Sequence, residues 1–197
     1  MSETLLSVAV GLGLAAAAGF RVFVPLFGLS LAALTGKVAV TDSFAWLATG
    51  PAAIALGTAM LAEVAAYYLP WFDHVLDTIA TPAAVIAGIL ATGAVVTDLP
   101  PVVRWAIAII GGGGAAGLFQ GATVLLRVKS TATTGGAANP VVATIEWIGA
   151  TIVAALAILL PLVAIAAVVW LTIRVFRGAG RLAFGRGGAG RTTDGSA

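Results

Sequence analysis

The fold class this sequence predicts is all-α: a polytopic helical membrane protein with about five membrane crossings and one or two re-entrant or broken-helix segments. Three observations predict it. The composition is 60% hydrophobic and only 9% charged, with a mean hydropathy of +1.10, whereas soluble domains carry about 25% charge. Apolar runs long enough to cross about 30 Å of hydrocarbon recur along the chain. The 25 Gly suit helices that approach closely in lipid, where small residues set the packing distance. The sequence has no Cys, which excludes disulfide and thiolate chemistry.

The formal charge of +2 is unevenly distributed. Five of the ten basic residues (Arg174, Arg177, Arg181, Arg186 and Arg191) follow Ile173, whereas only one acidic residue, Asp194, does. Residues 1–176 are therefore expected to form a helical transmembrane domain and residues 177–197 a disordered Arg/Gly-rich cytoplasmic tail. Such a tail is suited to anionic lipid head groups rather than nucleic acid.

The N-terminus lacks the basic region of a secretory signal, so residues 5–34 are expected to be a retained first crossing. Arg21 lies near its middle and Pro25 one turn later. Proline displaces the carbonyl four residues back, so a kink at Pro25 is expected, with Arg21 buried or facing a cavity. A polar loop over 36–43 leads to a second crossing at 44–69, which carries Glu63 in its final third.

The stretch Glu63–Pro82 concentrates the polar chemistry, with Glu63, Asp73, His74 and Asp77 among aromatics and prolines. Asp73, Asp77 and Thr81 share one face if the segment is helical. Paired carboxylates suit a proton relay or a cation site; a solvated amphipathic stretch, with Tyr67, Tyr68 and Trp71 as an aromatic belt, is the alternative. Either Asp73–Val96 is one helix kinked at Pro82, or 71–81 is re-entrant.

The next crossing, 102–127, carries Gly113, Gly117 and Gly121 at every fourth position, a flat seam for another helix, with Gly11, Ala15 and Gly19 offering a matching face. Residues 128–139 are polar with little charge, and Asn139–Pro140 aligns with Thr81–Pro82 in a short internal repeat. The apolar run from Pro140 to Phe176 would measure about 55 Å as a helix, too long for one ordinary crossing. Its beginning, with Glu146, is assigned to a second re-entrant element and the crossing to 150–173. A turn at Leu159–Pro161 is disfavoured because it contains no polar residue.

Glu63 and Glu146 stand inside apolar runs, where an unpaired charge is costly. Each is expected to be protonated or to meet Arg21 or Arg127. Two G-x-G-x-x-G matches, Gly112–Gly117 and Gly185–Gly190, follow no strand and carry no nucleotide expectation. There is no Ser-His-Asp set or phosphate loop, and a single His is too poor a donor set for a metal, so no enzyme activity, cofactor or metal site is expected.

The segments Ala-Ala-Gly-Phe-Arg-Val-Phe-Val-Pro-Leu at 17–26, Tyr-Leu-Pro-Trp-Phe-Asp-His-Val-Leu-Asp-Thr-Ile-Ala-Thr-Pro-Ala-Ala at 68–84 and Gly-Gly-Ala-Ala-Asn-Pro at 135–140 resemble the domain-of-unknown-function 4126 family of bacterial inner-membrane proteins. The resemblance implies that membrane location, but no substrate. The resulting expectation is a small transporter or channel that forms a homo-oligomer in the lipid bilayer. Its pathway would use Arg21, Glu63, Asp73, Asp77, Thr81, Asn139 and Glu146, with Pro25, Pro82 and Pro140 at helix breaks. A non-transporting assembly protein, in which these charges pair helices, is the alternative.

Overall fold

The computed structural model describes residues 2–68 and 73–184, with side chains described for 3–68, 79–174 and 177. All regular structure among them is helical. The helices are α1 (Ser2–Ala18), α2 (Phe23–Leu34), a 3₁₀ helix (Asp42–Ala48), α3 (Gly50–Ala66), α4 (Asp73–Val95), α5 (Pro101–Ala106), a π-helical stretch (Ile107–Gly113), α6 (Gly114–Thr134), α7 (Asn139–Leu159) and α8 (Pro161–Phe184).

Local chemistry explains most boundaries. Prolines open α5, α7 and α8, where a missing N–H costs nothing. Thr49 caps α3, its hydroxyl accepting from the Ala52 amide at 3.3 Å. Gly36 (φ 70°) ends α2 and Gly135 (φ 64°) ends α6, left-handed positions that favour glycine.

α1 is the hub, packing on α4, α6, α7 and α8. Its Leu14, Ala15, Ala16, Ala17 and Ala18 are fully buried, and the small side chains bring neighbouring helices close. Ala157 of α7 and Ala164 of α8 both lie against Gly13, so both helices run along α1. The exterior is largely hydrocarbon: Val102 is 82%, Ile110 77% and Ile54 73% exposed, while Arg21, Arg127 and Glu146 are buried within. Apolar outside and charged inside is the arrangement of a protein whose solvent is lipid.

Among the described residues, two helices are long and apolar enough to cross a bilayer: the continuous rod Pro101–Thr134 and Asn139–Leu159. The 3₁₀ helix and α3 form a third candidate, bent by 72° at their junction. Glu3–Ala18, Phe23–Leu34, Ile79–Val95 and Pro161–Arg174 are shorter apolar helices.

Several expectations change. Residues 5–34 do not form one helix kinked at Pro25: the chain breaks at 19–22, and Pro25 sits in the first turn of α2, where it interrupts no hydrogen bond. Pro82 lies inside α4 and does not break it. Pro140 starts α7, and Glu146 belongs to that uninterrupted helix rather than to a re-entrant segment. The long apolar run instead breaks at Leu160 (φ −139°, ψ 66°), because Pro161 disfavours helical geometry in the residue before it. With Pro82 in mid-helix and Pro140 at a helix start, the proposed repeat has no structural counterpart. Helix α8 also extends to Phe184, beyond the expected boundary at 176, through helix-forming Arg181, Leu182 and Ala183.

The glycine seam differs as well. A Cβ at Gly113 would lie 3.0 Å from Ile89 and one at Gly117 3.4 Å from Val85, but one at Gly121 would meet nothing within 4 Å. The tightest approach of α4 to the 101–134 rod is at Gly88 and Gly112: a Cβ on Gly88 would stand 2.6 Å from Ala116 Cβ and 2.7 Å from the Gly112 oxygen. Bonding in the π-helical stretch shifts the facing glycine by one position.

Candidate functional site

The break between α1 and α2 places a charged residue in the interior. A Cβ at Gly19 would lie 2.5 Å from the Ala116 carbonyl oxygen and 2.6 Å from Phe119 Cβ, so this crossing point admits only glycine. Phe20 then packs on Phe119 with ring centroids 5.3 Å apart. The next residue, Arg21, is only 2% exposed.

Arg21 Nη2 donates to the Ala143 carbonyl at 3.1 Å and pairs with Glu146 Oε2 at 3.1 Å. Arg127, on α6, grips the same carboxylate with two nitrogens: Nε donates to Oε1 at 3.1 Å, and Nη2 donates to Oε2. This fork geometry is the strong form of an arginine–carboxylate pair. Both guanidinium groups also lie against Tyr67, with Arg21 Cζ at 3.7 Å and Arg127 Cζ at 4.2 Å from the ring centroid. One aromatic ring thereby helps hold two cations near one carboxylate.

Glu63 closes the other side. It reaches from α3 to the start of α2, accepting from the Val22 amide at 2.8 Å and the Phe23 amide at 3.0 Å. Val22 has no side-chain cap of its own, so a carboxylate distant in sequence satisfies the free N–H groups and complements the helix dipole. The four charges, two of each sign, balance. Arg21 Nε and Nη1 have no hydrogen-bond partner among the described residues.

Of the residues singled out by sequence, Arg21, Glu63 and Glu146 converge. Asn139 is buried in the α6–α7 turn and donates to Thr131 Oγ1 at 3.1 Å. It shares the Glu146 face of α7 but lies two turns away, about 10 Å. Thr81 and Pro82 are exposed on α4. Asp73 and Asp77 begin α4, but their side chains lie outside the described residues. Tyr67, assigned by sequence to an aromatic belt, is instead 7% exposed within the cluster. Arg127, considered only as a partner, is a full member of the site. Its pairing with Glu146 spans the turn between α6 and α7, a relation that helical periodicity does not give.

A cavity of about 540 Å³ opens between α2 and α7. It is lined chiefly by hydrocarbon from residues such as Val24, Phe27, Leu31, Trp147 and Ile158, with Lys37 among its polar lining residues. The charged cluster is not part of its wall.

Residues 8–178 match the family described as Domain of unknown function (DUF4126). The chain belongs to the DUF4126 family. No curated protein and no solved structure matches it. The matched span contains both sides of the helix break and every residue of the charged cluster, so the architecture described above lies within the DUF4126 region.

Proposed function

We propose that this DUF4126 chain is a small integral-membrane transporter or channel for an ion or small polar solute, with its pathway at the broken α1–α2 helix. The observation that carries the reading is Arg21: a buried guanidinium at a helix break, beside a half-helix N-terminus, with two nitrogens that find no hydrogen-bond partner among the described residues. Intramembrane ionisable groups and discontinuous helices are the usual materials of a transport site. The reading places the protein in the bacterial cytoplasmic membrane with about five crossings, α1 and α2 forming the halves of the first. The Arg-rich C-terminus is cytoplasmic and meets anionic head groups, and apolar outer faces supply contacts for a homo-oligomer.

Reconstitution into vesicles tests it. Solute-driven swelling, measured with a panel of sodium salts and neutral polar solutes, is expected to exceed that of protein-free vesicles for at least one solute. Arg21→Gln abolishes this excess while leaving a folded protein. Permeability equal to empty vesicles across the panel overturns the reading. The Arg127–Glu146 fork then favours the second reading, a non-transporting protein whose buried charges pair helices.

A further inference from the structure

The cavity between α2 and α7 has a direction. Arg21, just before α2, meets Ala143 near the start of α7, and Gly28, farther along α2, faces Ile158 near the end of α7. The two helices therefore run the same way, and the groove follows both. Its α2 wall extends from Val24 to Thr35, about 16 Å at 1.5 Å per residue. The Val24 end is deep: Gly19, beside the helix break, meets Ala116, close to the midpoint of the 34-residue rod Pro101–Thr134. The other end is shallow. There Thr35, Gly36 and Lys37 are exposed, and the loop they begin reaches the end of α4, where the Thr41 amide donates to the Ala94 carbonyl at 2.8 Å. The groove thus covers the depth of one leaflet, half of a hydrocarbon core about 30 Å thick.

The walls suit hydrocarbon. The hydroxyls of the two threonines that line the groove are spent on their own helices: Thr35 donates to the Leu31 carbonyl at 2.8 Å and Thr151 to the Trp147 carbonyl at 2.9 Å. Among the described residues lining it, Lys37 is the one that carries a charge. It lies at the shallow end, forms no ion pair among the described residues, and leaves the nearby exposed Asp42 unpaired. We propose that the groove binds an acyl chain of an anionic phospholipid, with the chain end toward Val24 and Trp147 and the phosphate on the Lys37 ammonium. An apolar track one leaflet long, with a cation at headgroup level, matches both parts of such a molecule in the right order. A zwitterionic lipid brings its own cation to the phosphate and gains less from Lys37. The site is separate from the charged cluster, and the inference holds whether or not the protein transports a solute.

The test reads occupancy of the groove. Trp46→Phe, Trp71→Phe, Trp105→Phe and Trp170→Phe leave Trp147 as the single tryptophan of the full chain. Its fluorescence is titrated in mixed micelles with phosphatidylglycerol or phosphatidylcholine brominated near the chain end, since bromine quenches an indole it touches. Half-maximal quenching by phosphatidylglycerol is expected at a mole fraction about fivefold lower, the weight of one basic residue beside anionic lipid. Lys37→Gln removes this preference, and so does Ala155→Phe, which fills the groove from an exposed position. The Arg-rich C-terminal segment is unchanged in all three proteins, so a preference created there survives both substitutions. Four results overturn the proposal: equal quenching by the two lipids, no quenching by either because a second copy covers the groove, and a preference that survives Lys37→Gln or Ala155→Phe. If the single-tryptophan chain does not fold, thermal unfolding of the protein with all its tryptophans and unbrominated lipids is the second measurement. Stabilisation by phosphatidylglycerol beyond that by phosphatidylcholine, lost in Lys37→Gln and in Ala155→Phe, is the expected result; equal stabilisation, or indifference to either substitution, overturns the proposal.

Discussion

Glu146→Gln is the sharpest perturbation of the cluster, because one carboxylate serves two buried cations. Glu146 is 3% exposed, Arg21 2% and Arg127 4%, so water does little to screen the charges left behind. Removing one partner of a buried pair costs about 3–5 kcal/mol. The Tyr67 ring retains part of the stabilisation of both guanidinium groups, at about 1–2 kcal/mol for a desolvated cation, which places the expected loss near the lower end, about 3 kcal/mol. The adjacent charge balance supplies an internal control. In Arg127→Gln/Glu146→Gln, one cation and one anion leave together, while Arg21 and Glu63 remain as an opposite pair. The double variant should therefore be more stable than Glu146→Gln alone, with a coupling energy of about 2 kcal/mol in a double-mutant cycle. Equilibrium unfolding in mixed detergent–lipid micelles measures it. A Glu146→Gln loss below about 1 kcal/mol, together with additivity in the double variant, would refute the electrostatic account.

The remaining predictions concern packing and the same aromatic ring. Gly88→Ala places a methyl group 2.6 Å from Ala116 Cβ and 2.7 Å from a backbone oxygen, and should cost at least about 1–3 kcal/mol through overpacking. Gly121→Ala meets nothing within 4 Å and should be neutral or stabilising by up to about 1 kcal/mol; comparable losses at both sites would contradict the observed helix contact. Gly135→Ala forces an L-residue into a left-handed position at φ 64°, with an expected loss of about 1 kcal/mol in thermal unfolding. Tyr67→Leu should destabilise more than Tyr67→Phe, since only the latter keeps a ring beside Arg21 and Arg127; equal losses in the same unfolding assay would remove the ring from the explanation.

The glycine seam illustrates where sequence reading succeeds and stops. Repeated small residues correctly directed attention to close contacts along 101–134, but an α-helical period selected Gly113, Gly117 and Gly121. Gly112 makes the closest contact with α4 because the backbone passes through π geometry, a change that composition does not announce. The break at 19–22 was hidden for a related reason. The sequence is continuously apolar there except for Arg21, and the obvious breaker, Pro25, is compatible with a helix's first turn. It is the crossing of α1 against α6 at Gly19 that identifies this place as special.

By itself, the sequence determined the solvent and the roster of costly groups. So few charges in so apolar a chain mark an all-helical membrane protein, and Arg21, Glu63 and Glu146 stand out because isolated charges in hydrocarbon need partners. The tertiary structure alone decided which partner each one met. Glu146 takes both arginines, Glu63 takes the free amides of α2, and Tyr67 turns inward against the two cations. Burial cost depends on residue type and can be read along a chain; pairing depends on distance and direction between helices remote in sequence, which only their packing fixes.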